Sequence, residues 1–215
     1  MGGAADERRE ALLARIAASL APRFDGSLSR QTVEWYVREC HNLLERPSTV
    51  GRHLPVLAER FARQRLVALA QSQGLAAKPV PEVLFVCTAN AGRSQIAAAL
   101  TARHAGGRVH VRTAGTCPAG RIDPMVGLAL TEIGLDPGME FPKPLTDEVV
   151  AAADVVVTMG CGDACPVYPG KRYQDWLLDE PEDAPLEEVR AIRDHIDERV
   201  RELLAELIGL PSARQ

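Results

Sequence analysis

The stretch VLFVCTANAGRSQ, from Val83 to Gln95, indicates the fold of the larger part of the chain. Four apolar residues lead directly into Cys87, and five residues then separate this cysteine from Arg93. An apolar run of this kind is typical of a strand that is buried on both faces. Because the residues at 94–104 are predicted to be helical, the intervening residues form a short loop between a strand and a helix.

Strands and helices continue to alternate after this loop. Apolar or alternating runs predict further strands at 108–113, 152–160 and 171–176, and helical periodicity predicts helices at 124–133, 147–152 and 186–208. This alternation predicts an α/β fold, in which a four-stranded parallel sheet carries helices on both faces. Ligands in such sheets bind beyond the carboxyl ends of the strands, and Cys87 falls at one of those ends.

Residues 1–77 have a different pattern, in which apolar residues recur at three- and four-residue spacing. Three segments carry this pattern: ERREALLARIAASL, QTVEWYVRECHNLL and VGRHLPVLAERFARQRLVALAQSQ. Ser48 is a candidate N-cap for the third helix, Gly74 is a stop signal, and LAAKPVP is a linker. We therefore expect a small three-helix bundle at residues 1–77 and the α/β domain at residues 78–215.

The composition excludes several classes of protein. The chain has 215 residues, of which 46% are hydrophobic, and its net charge of −4 does not indicate nucleic acid as the main partner. No apolar run approaches the roughly 20 residues that a membrane span needs, and charges within the N-terminal apolar pattern argue against a signal peptide. The odd number of cysteines argues against a disulfide framework and favours a reducing cytoplasm; they are Cys40, Cys87, Cys117, Cys161 and Cys165.

The loop after Cys87 has the features of an oxyanion site. A short loop between a strand and a helix can turn its backbone N–H groups inward, and the helix adds the positive end of its dipole. Arg93 adds a planar set of donors that suits two oxygens of phosphate or arsenate. Gly92 allows close backbone approach, and Asn90 tolerates a left-handed conformation. The predicted substrate-binding residues are Thr88, Ala89, Asn90, Ala91, Gly92, Arg93 and Ser94.

Cys87 is the candidate nucleophile of this site. Helix N-termini and nearby cations lower the pKa of a cysteine thiol from its usual value of about 8.5, and Ser94 could donate a hydrogen bond to the thiolate. The alternative interpretation is structural, with Cys87 as a buried residue at the end of a core strand.

At this point the chain resembles a known family. CTANAGRS is similar to the Cys-x5-Arg loop of low-molecular-weight tyrosine phosphatases and of their arsenate-reductase relatives. RSQ, RTAGT and VVVTMGCGDACP resemble the thioredoxin-coupled arsenate reductases in particular. The resemblance extends from about Pro81 to Pro181. The N-terminal bundle lies outside it, although some arsenate reductases of this group carry a helical extension.

The resemblance implies a three-cysteine relay. Cys87 attacks arsenate and forms a thiol–arsenic adduct, and Cys161 then attacks the sulfur of Cys87, so that arsenite departs. Cys165 attacks Cys161, and thioredoxin reduces the resulting disulfide. The relay needs no bound cofactor, because the thiols of the protein supply the electrons. A zinc site is not expected, since the C-x3-C spacing of Cys161 and Cys165 has no matching second pair.

The general acid departs from the family pattern. The family places an aspartate directly before a proline, whereas this chain has Glu180 before Pro181, with Asp179 one residue earlier. We favour Glu180 and keep Asp179 as the alternative. Some relatives bind potassium with a glutamate at the position of Ala98, so a potassium site is not expected here. Cys117 could line the same crevice, and we interpret it as a passive residue.

Three other functions remain open from the sequence. A tyrosine phosphatase would need the same loop, but its sites usually offer aromatic walls, and aromatic residues make up only 4% of this chain. A reductase that uses a low-molecular-weight thiol would need only Cys87. The N-terminal helices could form a regulatory or DNA-binding module, although no basic cluster marks a recognition helix. For the N-terminal bundle, a role in packing or homodimer formation is favoured over a regulatory or DNA-binding role.

Overall fold

The computed structural model describes residues 3–45, 53–138, 140–160 and 167–210. The chain divides into two compact units, Met1–Ala77 and Lys78–Gln215. Among the residues that the structure describes, none of the helices combines the length and apolar character needed to cross a membrane.

The N-terminal unit consists of three helices that contact one another in pairs. They are α1 (Gly3–Leu20), α2 (Arg30–Glu45) and α3 (Leu54–Ser72), and a 3-10 turn (Ala21–Phe24) follows α1. The expectation of a preceding helical region is confirmed. Helix α3 begins at Leu54, four residues later than predicted, because Pro55 fits the first turn, where a helix needs no N–H donor. The predicted N-cap, Ser48, lies outside the described residues.

One buried charge organises the core of this unit. Arg65 is 3% exposed, and its guanidinium lies 2.7 Å from the carboxylate of Glu39. Its Cζ also lies 4.7 Å from the ring centre of Tyr36 and 5.4 Å from that of Phe61. A buried cation needs such partners to offset the loss of water. Cys40, which is completely buried, accepts a hydrogen bond from Arg65 and belongs to this core.

The second unit is built on a four-stranded parallel sheet, as predicted from the alternating pattern. Its strands are β1 (Glu82–Cys87), β2 (His110–Gly115), β3 (Val155–Met159) and β4 (Arg172–Asp175), in the order β2-β1-β3-β4. Its helices are α4 (Arg93–Ala105), α5 (Pro124–Thr131), α6 (Asp147–Ala152) and α7 (Leu186–Ile208). The fold class is therefore confirmed.

Both faces of β1 are buried, which explains its continuous apolar sequence. Helices α4, α5 and α7 pack over the face that carries Val83, Phe85 and Cys87. Helix α6 contacts β1 as well, and its buried valines lie outside that cluster, on the opposite face. Strand β2 lies two residues later than predicted, because its pairing with β1 sets its ends. A two-residue shift keeps the same side chains on the same face, so the alternating pattern could not detect it.

The amino-terminal edge of the sheet carries a buried ion cluster. Glu82 is 1% exposed; His110 lies 2.9 Å from its carboxylate, and Arg112 donates to the same carboxylate over 2.9 Å. Burial by itself would raise the pKa of Glu82, but the hydrogen bonds from His110 and Arg112 and their charges lower it to about 2. The carboxylate therefore stabilises the folded state wherever it is ionised.

We predict that Glu82→Gln removes a pH-dependent part of the stability. The folded-state pKa of Glu82 lies below the usual 4.5, so its contribution is complete above about pH 4.5 and is lost as the pH falls towards 2. The variant should lose about 2 to 3 kcal/mol at pH 7 and approach the wild type in acid. Urea unfolding followed by circular dichroism between pH 7 and pH 3 measures this difference.

Glu132→Gln is the matched control, because the ion pair of Glu132 with Arg190 lies in solvent. It should change the free energy of unfolding much less than Glu82→Gln. A difference between Glu82→Gln and the wild type that stayed constant across the pH range would contradict the assignment.

Candidate active site

The loop after β1 lies at the carboxyl edge of the sheet, between the two strands that flank β1. Cys87 is 2% exposed and pairs with Gly115 of β2 and with Met159 of β3. A side chain at Gly115 would lie 2.7 Å from the carbonyl oxygen of Thr88 and 2.9 Å from the Cβ of Asn90. Gly115 is therefore required for the loop to fit against β2, a role that its place in the motif RTAGT did not reveal.

Asn90 holds the loop in shape through both its backbone and its side chain. It has a φ of 50°, the left-handed conformation, and its N–H donates to the sulfur of Cys87 at 3.2 Å. Its side-chain oxygen accepts from the N–H of Lys143 at 2.8 Å, which leaves the amide nitrogen to donate to the hydroxyl of Ser94 at 2.9 Å. The backbone oxygen of Asn90 accepts from the side chain of Gln95.

This arrangement directs a proton to Cys87. The hydroxyl oxygen of Ser94 lies 3.0 Å from the sulfur of Cys87 and already accepts from Asn90, so its own proton is free to point to the sulfur. Two donors, the N–H of Asn90 and the hydroxyl of Ser94, thus face the sulfur of Cys87. The sequence suggested Ser94 for this role. It did not suggest Lys143, which lies 53 residues away from Asn90 along the chain.

Arg93, the first residue of α4, is buried, and the described residues leave one of its donors unused. Its side chain is 5% exposed, and its Nη2 donates to the carboxylate of Glu180. Its Nη1 lies 3.4 Å from the carbonyl oxygen of Leu178. In the described part of the chain, Nε of Arg93 is buried and has no hydrogen-bond partner. A buried donor without a partner is costly, which indicates a place for an acceptor such as an oxyanion.

The two candidate acids differ in their surroundings. The side chain of Glu180 is about half exposed (51%) and bonds to Arg93, whereas Asp179 is exposed. Pro181 is buried against the loop, since a side chain at Gly92 would collide with its ring. The structure thus brings Glu180 to Arg93, and the close approach expected at Gly92 is made by Pro181.

A cavity of about 280 Å³ opens beside the loop. Its walls come from the loop itself, from the segment 119–124 after β2, and from the segment 180–183. Among the described residues that line it, none is aromatic. The cavity therefore lacks the aromatic walls that a phosphotyrosine ring would be expected to contact.

The two cysteines expected to complete the relay, Cys161 and Cys165, lie outside the described residues. Gly160, the last described residue before them, accepts a hydrogen bond from the hydroxyl of Thr88 at 3.2 Å and therefore lies beside the loop. Cys117 is exposed, and its N–H donates to the carbonyl oxygen of Thr88 at 2.9 Å. Across the described ranges, no group of three or more histidine, cysteine or carboxylate side chains is arranged to hold a metal ion.

Comparison with known proteins gives two matches that follow one another along the chain. Residues 82–209 match the family described as low molecular weight phosphotyrosine protein phosphatase, and residues 13–70 match a protein-tyrosine-phosphatase-like N-terminal domain. A glutaredoxin arsenate reductase of Synechocystis is 30% identical over 129 residues, which are 59% of this chain and 98% of that protein.

Two solved structures are also similar. A thioredoxin-dependent arsenate reductase of Corynebacterium glutamicum is 48% identical, with a TM-score of 0.83, and the match covers 91% of this chain and 96% of the other. An arsenate reductase in the phosphate-binding state is 28% identical, with a TM-score of 0.53, over 60% of this chain and 99% of the other.

We predict that Ser94→Ala slows alkylation of Cys87 by iodoacetamide at pH 7 about 5- to 10-fold, because the thiolate loses a hydrogen bond of about 1 kcal/mol or more. Peptide mapping by mass spectrometry measures the rate at Cys87 alone. Thr101→Val is the control. It removes a buried hydroxyl from the same helix, and that hydroxyl bonds to the carbonyl oxygen of Ala97, away from Cys87. Equal rates in Ser94→Ala and the wild type would show that Ser94 does not support the thiolate.

Proposed function

Because the chain belongs to the low molecular weight phosphotyrosine protein phosphatase family, we propose that it reduces arsenate to arsenite and that thioredoxin recycles it. The proposal rests above all on the match, over 91% of the chain, to a thioredoxin-dependent arsenate reductase. The buried Nε of Arg93, which has no partner among the described residues, supports an oxyanion substrate at the loop that follows Cys87. The C. glutamicum enzyme also covers most of both units, which supports a function that involves the whole chain.

In the first step, the loop holds the oxyanion over the sulfur of Cys87. Arg93 donates to two of its oxygens, and the backbone N–H groups at the start of α4 add further positive potential. The thiolate of Cys87 attacks arsenic and forms a sulfur–arsenic bond. One oxide of arsenate takes up two protons and leaves as water. Glu180 is the favoured proton donor, and Asp179 is the alternative.

In the second step, the thiolate of Cys161 attacks the sulfur of Cys87. The electron pair of the sulfur–arsenic bond stays on arsenic, which is reduced from As(V) to As(III) and leaves as arsenite. Cys165 then attacks Cys161 and releases Cys87 as a thiolate, and thioredoxin reduces the Cys161–Cys165 disulfide. Two thiols lose two electrons, and arsenate gains them.

Two further assignments accompany this proposal. We place the reaction in the cytoplasm, where a reduced thioredoxin pool keeps the thiols available. The N-terminal unit is assigned to packing or to a homodimer rather than to DNA binding. A gel-shift experiment with promoter DNA separates the DNA-binding alternative, and sedimentation of the full chain tests the dimer.

The test of the function compares two activities of the same preparation. Arsenate should drive the oxidation of reduced thioredoxin, whereas hydrolysis of a phosphotyrosine mimic should be slow.

We predict that Cys87→Ser abolishes the arsenate-driven oxidation of thioredoxin, because a serine hydroxyl is not ionised by this loop, while phosphate binding survives. Cys117→Ala is the control, because it removes a thiol beside the loop and should keep the activity. Substantial turnover by Cys87→Ser would falsify the nucleophile assignment.

The order of the relay can be read from two other variants. In Cys165→Ser, one arsenite should be released per enzyme, and the protein should stop as a Cys87–Cys161 disulfide. In Cys161→Ser, the arsenic adduct should persist and little arsenite should appear. Single-turnover arsenite release with disulfide mapping measures both. Full multiple turnover of Cys165→Ser with thioredoxin would mean that an external thiol resolves the first disulfide directly.

A further inference from the structure

The oxyanion site already contains a carboxylate. Glu180 bonds to Nη2 of Arg93, which is one of the donors that a tetrahedral oxyanion would use together with the free Nε. A carboxylate has the charge and the paired oxygens of an oxyanion, so it is a competing ligand for the same guanidinium. Two negative groups on one donor would also repel each other.

The segment that carries Glu180 is fixed on both sides of it. Before it, the carbonyl oxygen of Leu178 lies 3.4 Å from Nη1 of Arg93. After it, the buried ring of Pro181 lies against Gly92, where a side chain would collide with it. The backbone of Glu180 is therefore held beside the guanidinium, while its side chain remains about half exposed and free to turn into solvent.

The length of this side chain matters. The family pattern places an aspartate before the proline, and glutamate is one methylene longer. With the backbone held by its two neighbours, we expect an aspartate at this position to fall short of Arg93, and the variant Glu180→Asp tests this.

We propose that Glu180 is a carboxylate gate on Arg93, which occupies the oxyanion site at rest and is displaced by a doubly charged tetrahedral oxyanion. The gate lowers the affinity of the site for every anion and excludes ligands that cannot replace a carboxylate on a guanidinium. Displacement also frees the carboxyl group beside the bound oxyanion. The inference rests on the proposed oxyanion site, but it requires no reduction step.

The test measures the affinity for phosphate, which cannot be reduced, by calorimetry of the full chain with all cysteines reduced. Glu180→Gln and Glu180→Asp should both bind phosphate about two- to fivefold more tightly than the wild type, which corresponds to a half-exposed ion pair. Glu182→Gln is the matched control, because Glu182 is an exposed carboxylate that lines the same cavity. It should bind phosphate as the wild type does.

Each outcome decides the proposal. Tighter binding in both Glu180 variants, with no change in Glu182→Gln, supports the gate. Wild-type affinity in Glu180→Gln overturns it, and so does an equal gain in Glu182→Gln, which would indicate only a general loss of negative charge. Wild-type affinity in Glu180→Asp overturns the argument from side-chain length.

The same variants separate this inference from the proposed function. If arsenate does not oxidise thioredoxin in the wild type, but phosphate binds more tightly to the two Glu180 variants, the function fails and the gate stands. If arsenate turns over and the phosphate affinities are equal, the function stands and the gate fails. A second readout is the alkylation of Cys87: iodoacetate, which is a carboxylate, should react faster in Glu180→Asp, whereas neutral iodoacetamide should not.

Discussion

Asn90 joins three parts of the site through its side chain and its backbone. Its oxygen binds the backbone of Lys143, its nitrogen binds Ser94, and its backbone N–H binds the sulfur of Cys87. An asparagine in the left-handed conformation carries a cost that these bonds must offset. Because the amide can satisfy these partners in one orientation only, the same residue sets the direction of the loop and of the Ser94 hydroxyl. The position of the Cys87 sulfur, the proposed nucleophile, therefore depends on the bonds that Asn90 makes.

The second constraint is the buried charge of Arg93. A guanidinium that is 5% exposed needs acceptors, since leaving a buried cation unpaired is strongly unfavourable. Glu180 supplies one acceptor, and Nε is left without one among the described residues. The site is thus neutralised in part and still has a donor for a ligand. In the proposed oxyanion site, partial neutralisation would lower the cost of the empty state and still leave a donor for the substrate.

The opposite end of the sheet shows the contrast. Glu82 is buried as deeply as Arg93, but His110 and Arg112 satisfy its carboxylate, and the N–H of Glu82 itself donates to Asp154. This cluster holds the amino ends of β1 and β2 together, and both oxygens of the Glu82 carboxylate have hydrogen-bond partners in it. The two buried charges therefore differ in role: a fully satisfied one stabilises the fold, whereas a partly satisfied one leaves room for a ligand.

The sequence by itself determined what depends on neighbours along the chain. The apolar run into Cys87, the loop length and the position of Arg93 predicted the strand, the oxyanion loop and the helix, because backbone geometry and periodicity are local. The family resemblance had already placed Glu180 at the site, but only the tertiary structure decided which contacts the distant groups make there. Lys143 reaches Asn90 across 53 residues and Glu180 reaches Arg93 across 87, and Gly115 is needed only because the loop packs on β2. Such contacts are set by the packing of whole strands and segments, which no local pattern encodes.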